Sequence, residues 1–318
     1  MRIVVLDGYV LNPGDNPWDE VAELGKLTVY DRTPDDEILA RARDAEIILT
    51  NKTPLSAETL GRLPKLRFIS VLATGHNVVD IEAARQHNIP VSNVPVYSTS
   101  SVAQHVFALL LELCLHVGLH DQAVKAGEWS SSIDFAFWKT PLIELEGRRM
   151  GIVGFGRIGR RVGELAHAFG MDVLANDIRE VDPPDYEPFA WRTIPALFAE
   201  ADVVSLHCPQ TAANAGMVNS ELLSRMKPDA FFINAARGGL VVEQDLADAL
   251  NHGRIAGAAA DVVVSEPIPA DSPLLTAKNC IVTPHIAWAS LAARQRLMKT
   301  TADNVAAFIA GSRMNVVN

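Results

Sequence analysis

Between residues 150 and 169 the chain reads as an apolar run, Met150–Val153, then Gly154-Phe-Gly156-Arg-Ile-Gly159, then a helical stretch, Arg160–Phe169. Glycines at this spacing, between a strand and a helix, leave few folds open. The first permits a tight turn out of the strand. The second lets another group come close to the backbone, and the third lets the helix pack tightly on the sheet. Such a strand–turn–helix is half of a βαβ unit, and βαβ units build parallel sheets with helices on their faces.

The flanking sequence agrees. In the first hundred residues, β-rich runs at Ile3–Leu6, Leu27–Tyr30, Glu46–Leu49, Arg67–Val71 and Val91–Asn93 alternate with helical stretches at Asp19–Leu24, Asp35–Arg43, Ala57–Leu63 and Asp80–His87. This pitch predicts a small open sheet. After Ser98–Ser101, where Ser100 or Ser101 can cap, one long helix is expected over Val102–Ala126. It is apolar on more than one face, so it is either buried or an inter-subunit surface. A loop carrying Trp129 and Trp138 follows. Alternation then resumes, with strands expected at Met150–Val153, Val173–Asn176, Val203–Leu206, Ala230–Asn234, Gly257–Val262 and Cys280–Thr283, and a last helix over Leu291–Ile309.

The expected fold class is therefore α/β, with two Rossmann-like domains built on parallel sheets. A discontinuous, flavodoxin-like domain spans 1–98 and is completed by 289–318. A dinucleotide-binding domain spans 99–288, and the crossings near 98 and 288 are expected to act as hinges. A length of 318 residues suits two domains.

Composition narrows the function classes. Thirty-eight acidic against 28 basic residues give a net charge of −10, which argues against a nucleic-acid backbone as partner. The most apolar run, Phe107–Val117, is interrupted by Glu112 and is too short to span a membrane. The opening MRIVVLDGYV has only a strand-length apolar stretch, without the longer core of a secretion signal. Cys114, Cys208 and Cys280 are scattered and odd in number, which fits neither a disulfide framework nor a metal knuckle. A cytoplasmic location without a metal is the expectation.

The glycine loop points to a dinucleotide. The N-terminus of the following helix offers unpaired N–H groups and partial positive charge to a pyrophosphate. Asp177 ends the next expected strand, eighteen residues past Gly159. A carboxylate there accepts hydrogen bonds from ribose hydroxyls and repels a 2′-phosphate, which favours NAD over NADP.

Three further polar residues follow expected strands: Arg237 before Gly238-Gly239, Glu266 in Ser-Glu-Pro, and His285 in Thr-Pro-His-Ile. Open parallel sheets bind ligands outside the carboxyl ends of their strands. A guanidinium, a carboxylate and an imidazole there suit reduction of a 2-oxo acid. Arg237 can fork onto a substrate carboxylate and polarise the neighbouring carbonyl. His285 can deliver a proton to the carbonyl oxygen, with Glu266 orienting its ring.

With these residues in place, the whole chain resembles the D-isomer-specific 2-hydroxyacid dehydrogenases. The resemblance rests on GFGRIG at 154–159, HCPQT at 207–211, INAARGGLVVEQDL at 233–246, DVVVSEP at 261–267 and TPHIAWAS at 283–290. VLDGYVLNPGD at 5–15, LTVYDRTP at 27–34, TNKTPL at 50–55, VLATGHNVVD at 71–80 and MNVVN at 314–318 are similar to the glycerate dehydrogenase (hydroxypyruvate reductase) subgroup. The resemblance implies that Arg237, Glu266 and His285 are catalytic. It places Arg157 and Ile158 beside the pyrophosphate, and His207, Cys208, Pro209 and Thr211, with Ala235, along the cofactor cleft. It gives Asp261 a hydrogen bond to the nicotinamide amide. It also implies that backbone N–H groups at Ala73, Thr74 and Gly75 grip the substrate carboxylate. Lys52 either faces the same pocket or is a surface lysine, and Trp138 either closes the pocket or packs at an interface.

Two positions depart from the family pattern. Val242 stands where an acid is usual, which removes a local hydrogen bond, and His76 replaces an aromatic or acidic residue. The expected activity is NADH-dependent reduction of a small 2-oxo acid, hydroxypyruvate or glyoxylate foremost, by a homodimer that closes about its hinges. The alternatives are another 2-hydroxyacid or phosphite dehydrogenase, or a non-enzymatic NAD-sensing corepressor-type protein.

Overall fold

The computed structural model describes residues 1–318, which divide into two compact units: Met1–Ser98 with Ala289–Asn318, and Thr99–Trp288.

The first unit holds a five-stranded parallel sheet in the order Lys26–Val29, Arg2–Val5, Ile47–Thr50, Phe68–Val71, Val91–Ser92. This is the flavodoxin-like order. The three central strands are almost wholly buried, as parallel strands covered on both faces must be. The last helix, Leu291–Ile309, begins at the Ser290 cap and packs on this unit. Its buried Arg294 forks onto both carboxylate oxygens of Asp15, at 2.6 and 2.7 Å, and also donates to Leu11 O, which fixes the 11–16 loop. The last residues close over the edge strand, where Asn318 bonds Val91 N and Ile89 O.

The second unit holds seven parallel strands, in the order Cys280–Val282, Gly257–Ala260, Phe231–Asn234, Val203–Leu206, Arg149–Val153, Asp172–Asn176, Phe189–Trp191. Six were expected. The seventh, Phe189–Trp191, is a three-residue edge strand that pairs Val173–Ala175. It is too short for its alternation to register in the sequence, and it sits among prolines.

Alternate side chains along these strands enter two different cores. Phe232, Ala258, Ala260 and Val204 join one cluster, whereas Phe231, Ile233, Ala259 and Val203 join the other. Each core is covered by helices, so both sheet faces are dry.

The long helix differs from expectation at its middle. It runs Thr99–Leu115, breaks at His116 in the left-handed region (φ +46°), and resumes as Val117–Lys125 at 56°. Val102, Val106, Leu109, Leu110 and Leu113 are all buried, so the first segment is a core helix. Beyond the break Val117 is 61% exposed. Neither expected cap residue acts as one; Ser101 lies inside the helix, and its hydroxyl donates to Ala287 O at 2.6 Å. No single helix is long and apolar enough to cross a membrane.

Val242 shows what its departure costs. It is the N-cap of helix Glu243–Asn251, in extended backbone, with no side-chain cap bond. An acid there would accept from a first-turn N–H. Val242→Asp is expected to stabilise the protein by about 1 kcal/mol, which is about 2–4 °C in melting temperature for a unit of this size. Calorimetry on the two proteins checks it.

Candidate active site

The hydrogen-bond ladder of the second sheet runs one step beyond its strands. Along the carboxyl edge, Gly154 N donates to Asn176 O (2.8 Å) and His207 N to Val153 O (2.7 Å). On the other flank Asp261 N donates to Asn234 O (2.9 Å) and His285 N to Asp261 O (2.8 Å). The loops that carry the expected site residues therefore leave the sheet in register, at the spacing of neighbouring strands. The chain reverses its order between the Arg149–Val153 and Val203–Leu206 strands, which is the crevice where open α/β sheets bind ligands.

At that crevice lies the glycine loop. Gly154 has φ +94°, and a Cβ there would sit 2.5 Å from Cys208 N, so only glycine fits. A Cβ on Gly159 would meet Gly154 O at 2.1 Å, which shows how tightly the helix Arg157–Ala168 seats on the turn. Gly156, by contrast, caps that helix in extended backbone with open space where a Cβ would be. Helix N-terminus, bare backbone and open space together fit a pyrophosphate. Arg157 is exposed there, and Ile158 is half-buried against the core.

Asp177 follows directly. Its Oδ2 accepts from Phe155 N at 2.6 Å, which holds the carboxylate against the glycine loop. His207 bonds Ser205 through Nε2 at 2.9 Å, and desolvation pushes its pKa down to about 3, so the ring is neutral. Burial raises the pKa of Cys208, so it is a thiol. Asn214 binds Thr211 N and Pro209 O, fixing the exposed 209–214 turn. Ala235 is half-buried just beyond its strand.

Arg237, Glu266 and His285 stand on the other flank. Buried Asn234 sets the Arg237 backbone: its Nδ2 donates to Arg237 O (2.9 Å) and its Oδ1 accepts from Ala236 N (3.1 Å). The guanidinium donates to Ala236 O at 2.6 Å and is otherwise exposed. Gly238 packs directly on the loop that leads to Glu266; a Cβ there would lie 1.9 Å from Val263 C. Glu243 clamps that same loop by accepting from Val264 N at 2.7 Å. Glu266 Oε2 lies 2.6 Å from His285 Nδ1, in a pair about one-third exposed. A proton on Nδ1 is then held by the carboxylate, leaving Nε2 as the ring atom that can exchange a proton.

His285 itself sits at φ +55°, a position strained for a residue with a side chain. The turn is held by Asp261, which is 1% exposed. Asp261 O accepts from His285 N. Its carboxylate accepts from Thr283 Oγ1 (2.6 Å), Ile286 N (2.9 Å) and Ala287 N (2.8 Å), with His105 Nε2 at 3.4 Å. Desolvation raises the pKa of this carboxyl, but the bonds from His105, Thr283 and the two backbone N–H groups outweigh it and hold it below the ordinary value. Oδ1 takes the Thr283 and Ile286 bonds and lies nearest His105, while Oδ2 takes the Ala287 bond. The structure gives Asp261 the task of holding the His285 turn.

The remaining expected residues behave unevenly. In the first unit, Ala73 O and Thr74 O are engaged by Val94 N and Asn93 Nδ2, and Thr74 Oγ1 bonds Val94 O. No hydrogen bond leaves the N–H of Ala73, Thr74 or Gly75, as an anion-binding loop requires. Lys52 is exposed, but its backbone N–H and those of Asn51 and Thr53 all converge on the Asp7 carboxylate. His76 is half-buried, with Nδ1 shielded and unpartnered. Trp138 is 68% exposed in the second unit, and nothing in the chain makes it part of the trio.

Residues 107–287 match the model of the D-isomer specific 2-hydroxyacid dehydrogenase NAD binding domain. The chain belongs to that family. It is an oxidoreductase, and its second unit is the family's NAD-binding domain. A hydroxypyruvate reductase of Blautia hydrogenotrophica is 50% identical, with both chains covered in full. A glycerate dehydrogenase of Methylorubrum extorquens is 40% identical over 89% of this chain and 88% of its own. Among solved structures, a Thermus thermophilus protein is 33% identical and superposes with a TM-score of 0.86 over the whole of both chains.

Asn234, Glu243 and Asp261 are the supports that reading motifs alone assigns no such task. Only Asn234 leaves a local signal, two residues ahead of Ala236-Arg237. The Gly238 contact yields a test. Gly238→Ala is expected to separate the Arg237 loop from the Glu266 loop by about an ångström and to lower kcat/KM about a hundredfold. Steady-state kinetics on the folded variant check it.

Proposed function

We propose that this enzyme reduces hydroxypyruvate to D-glycerate with NADH, and glyoxylate to glycolate by the same chemistry. The observation that carries the reading is the 2.6 Å Glu266–His285 pair, set on the same sheet edge as Arg237 and the glycine loop. Relatives named hydroxypyruvate reductase and glycerate dehydrogenase support the substrate class.

Gly154, Gly156, Arg157, Ile158 and Gly159 would hold the pyrophosphate, and Asp177 the adenosine ribose. Bound in its reduced form, NAD supplies the hydride. Arg237 binds the substrate carboxylate and draws electron density from the adjacent carbonyl. His285 delivers the proton from Nε2 to the carbonyl oxygen as it gains charge. Glu266 keeps the ring oriented for that transfer. The Ala73–Gly75 loop is the anion-binding candidate of the first unit, and Lys52 follows the neighbouring strand, Ile47–Thr50. A 2′-phosphate would meet the Asp177 carboxylate, which favours NAD.

We further propose a cytoplasmic homodimer. Val117, Phe135, Trp138 and Leu142 leave a run of apolar surface more than half exposed beyond the His116 break, in keeping with a covered face.

Steady-state kinetics with hydroxypyruvate and glyoxylate, each with NADH and NADPH, test the activity. Turnover of hydroxypyruvate with a preference for NADH is expected; NADH binding without turnover of any 2-oxo acid overturns it. His285→Ala is expected to lower kcat by about 10²–10⁴ while NADH affinity stays at the wild-type level. Undiminished turnover would remove the acid role.

A further inference from the structure

Thr283 Oγ1 has one proton, and it points to Asp261 Oδ1 at 2.6 Å. The same oxygen lies 3.1 Å from His105 Nε2. Since the hydroxyl proton is already spent, Oγ1 must accept there, so Nε2 of His105 carries the hydrogen. The direction of the chain is thereby fixed: His105 donates to Thr283, and Thr283 donates to Asp261. His105 Nε2 also stands 3.4 Å from the Asp261 carboxylate, with its own side chain only 19% exposed. His105 belongs to the buried helix Thr99–Leu115, so its position is set by the core rather than by the loops.

We propose that His105 is a positioning residue for His285, acting through Thr283 and the buried carboxylate of Asp261. Asp261 holds the turn from both sides, by its main-chain oxygen on His285 N and by its side chain on Ile286 N and Ala287 N. A buried carboxylate is costly unless its lone pairs are met. Removing the His105 donor loosens Thr283 and exposes one carboxylate oxygen to rearrangement. The strained His285 backbone is then free to relax, and its ring leaves the geometry that Glu266 sets. None of this touches the glycine loop, which lies on the far side of the crevice.

The inference rests on His285 being the acid, as proposed above. His105→Ala is expected to lower kcat for hydroxypyruvate by about tenfold or more, the range seen when outer supports of a functional ligand are removed. His105→Gln, which retains an N–H at similar reach, should regain most of the loss. In the cofactor-free protein, amide hydrogen exchange at Ile286 and Ala287 should quicken in His105→Ala and return toward wild type in His105→Gln. Should His105→Ala not fold, Thr283→Val breaks the same relay and is expected to show the same fall in kcat.

Wild-type kcat in His105→Ala, or in Thr283→Val where that stands in, overturns the proposal. So does a loss that His105→Gln shares in full, because that is a packing defect alone. His285→Ala measured alongside separates the two ideas: if it is inactive while His105→Ala is unimpaired, only this inference fails. If it is fully active, the acid assignment fails first.

Discussion

Parallel register at the carboxyl edge of the second sheet is the constraint on which the site depends. Each strand ends one hydrogen-bonded step from its neighbour, and the loops inherit that spacing. Asn234, Asp261 and His285 are joined through their main chains across three adjacent strand ends. Arg237 and Glu266 extend from the first two. Residues separated by nearly fifty positions in the chain are thereby brought to one edge by main-chain register. The same edge, continued across the switch in strand order, carries the glycine loop and Asp177. The proposed cofactor loop and the proposed proton-transfer pair are two stretches of one rim.

Satisfaction of polar groups then sharpens what register only approximates. Asn234 and Asp261 are nearly inaccessible, and each spends both ends of its side chain on main-chain groups of a functional loop. Buried polar groups that are fully paired rigidify their surroundings, whereas half-paired ones destabilise them. This explains how His285 can be kept at a positive φ. Gly238 contributes by absence, since its missing Cβ is what lets the Arg237 and Glu266 loops touch.

Much of this was legible in the sequence, and the limit has a physical cause. The glycine loop, Asp177, Arg237, Glu266 and His285 all sit at the ends of apolar runs, so periodicity alone delivers their place on a parallel sheet. The structure brings them to the edge where that reasoning puts them. The Phe189–Trp191 strand escaped because three residues cannot display alternation. The break at His116 escaped because helical periodicity continues across it, and only a backbone dihedral records the turn. The task of Asp261 and the reach of His105 escaped for a different reason. They depend on which hydrogen faces which lone pair, and that is a property of packed side chains. Val242 shows the converse: a missing acid in a motif translates directly into a missing helix cap.

The central claim is that Arg237 and His285 act on one ligand, side by side at the sheet edge. The most direct measurement is a crystal structure with NADH and oxamate, which mimics a 2-oxo acid and is not reduced. The oxamate carboxylate is expected on the Arg237 guanidinium and its carbonyl oxygen at about 2.6–3.2 Å from His285 Nε2. Oxamate bound with neither side chain in reach, while NADH fills the glycine loop, would contradict it.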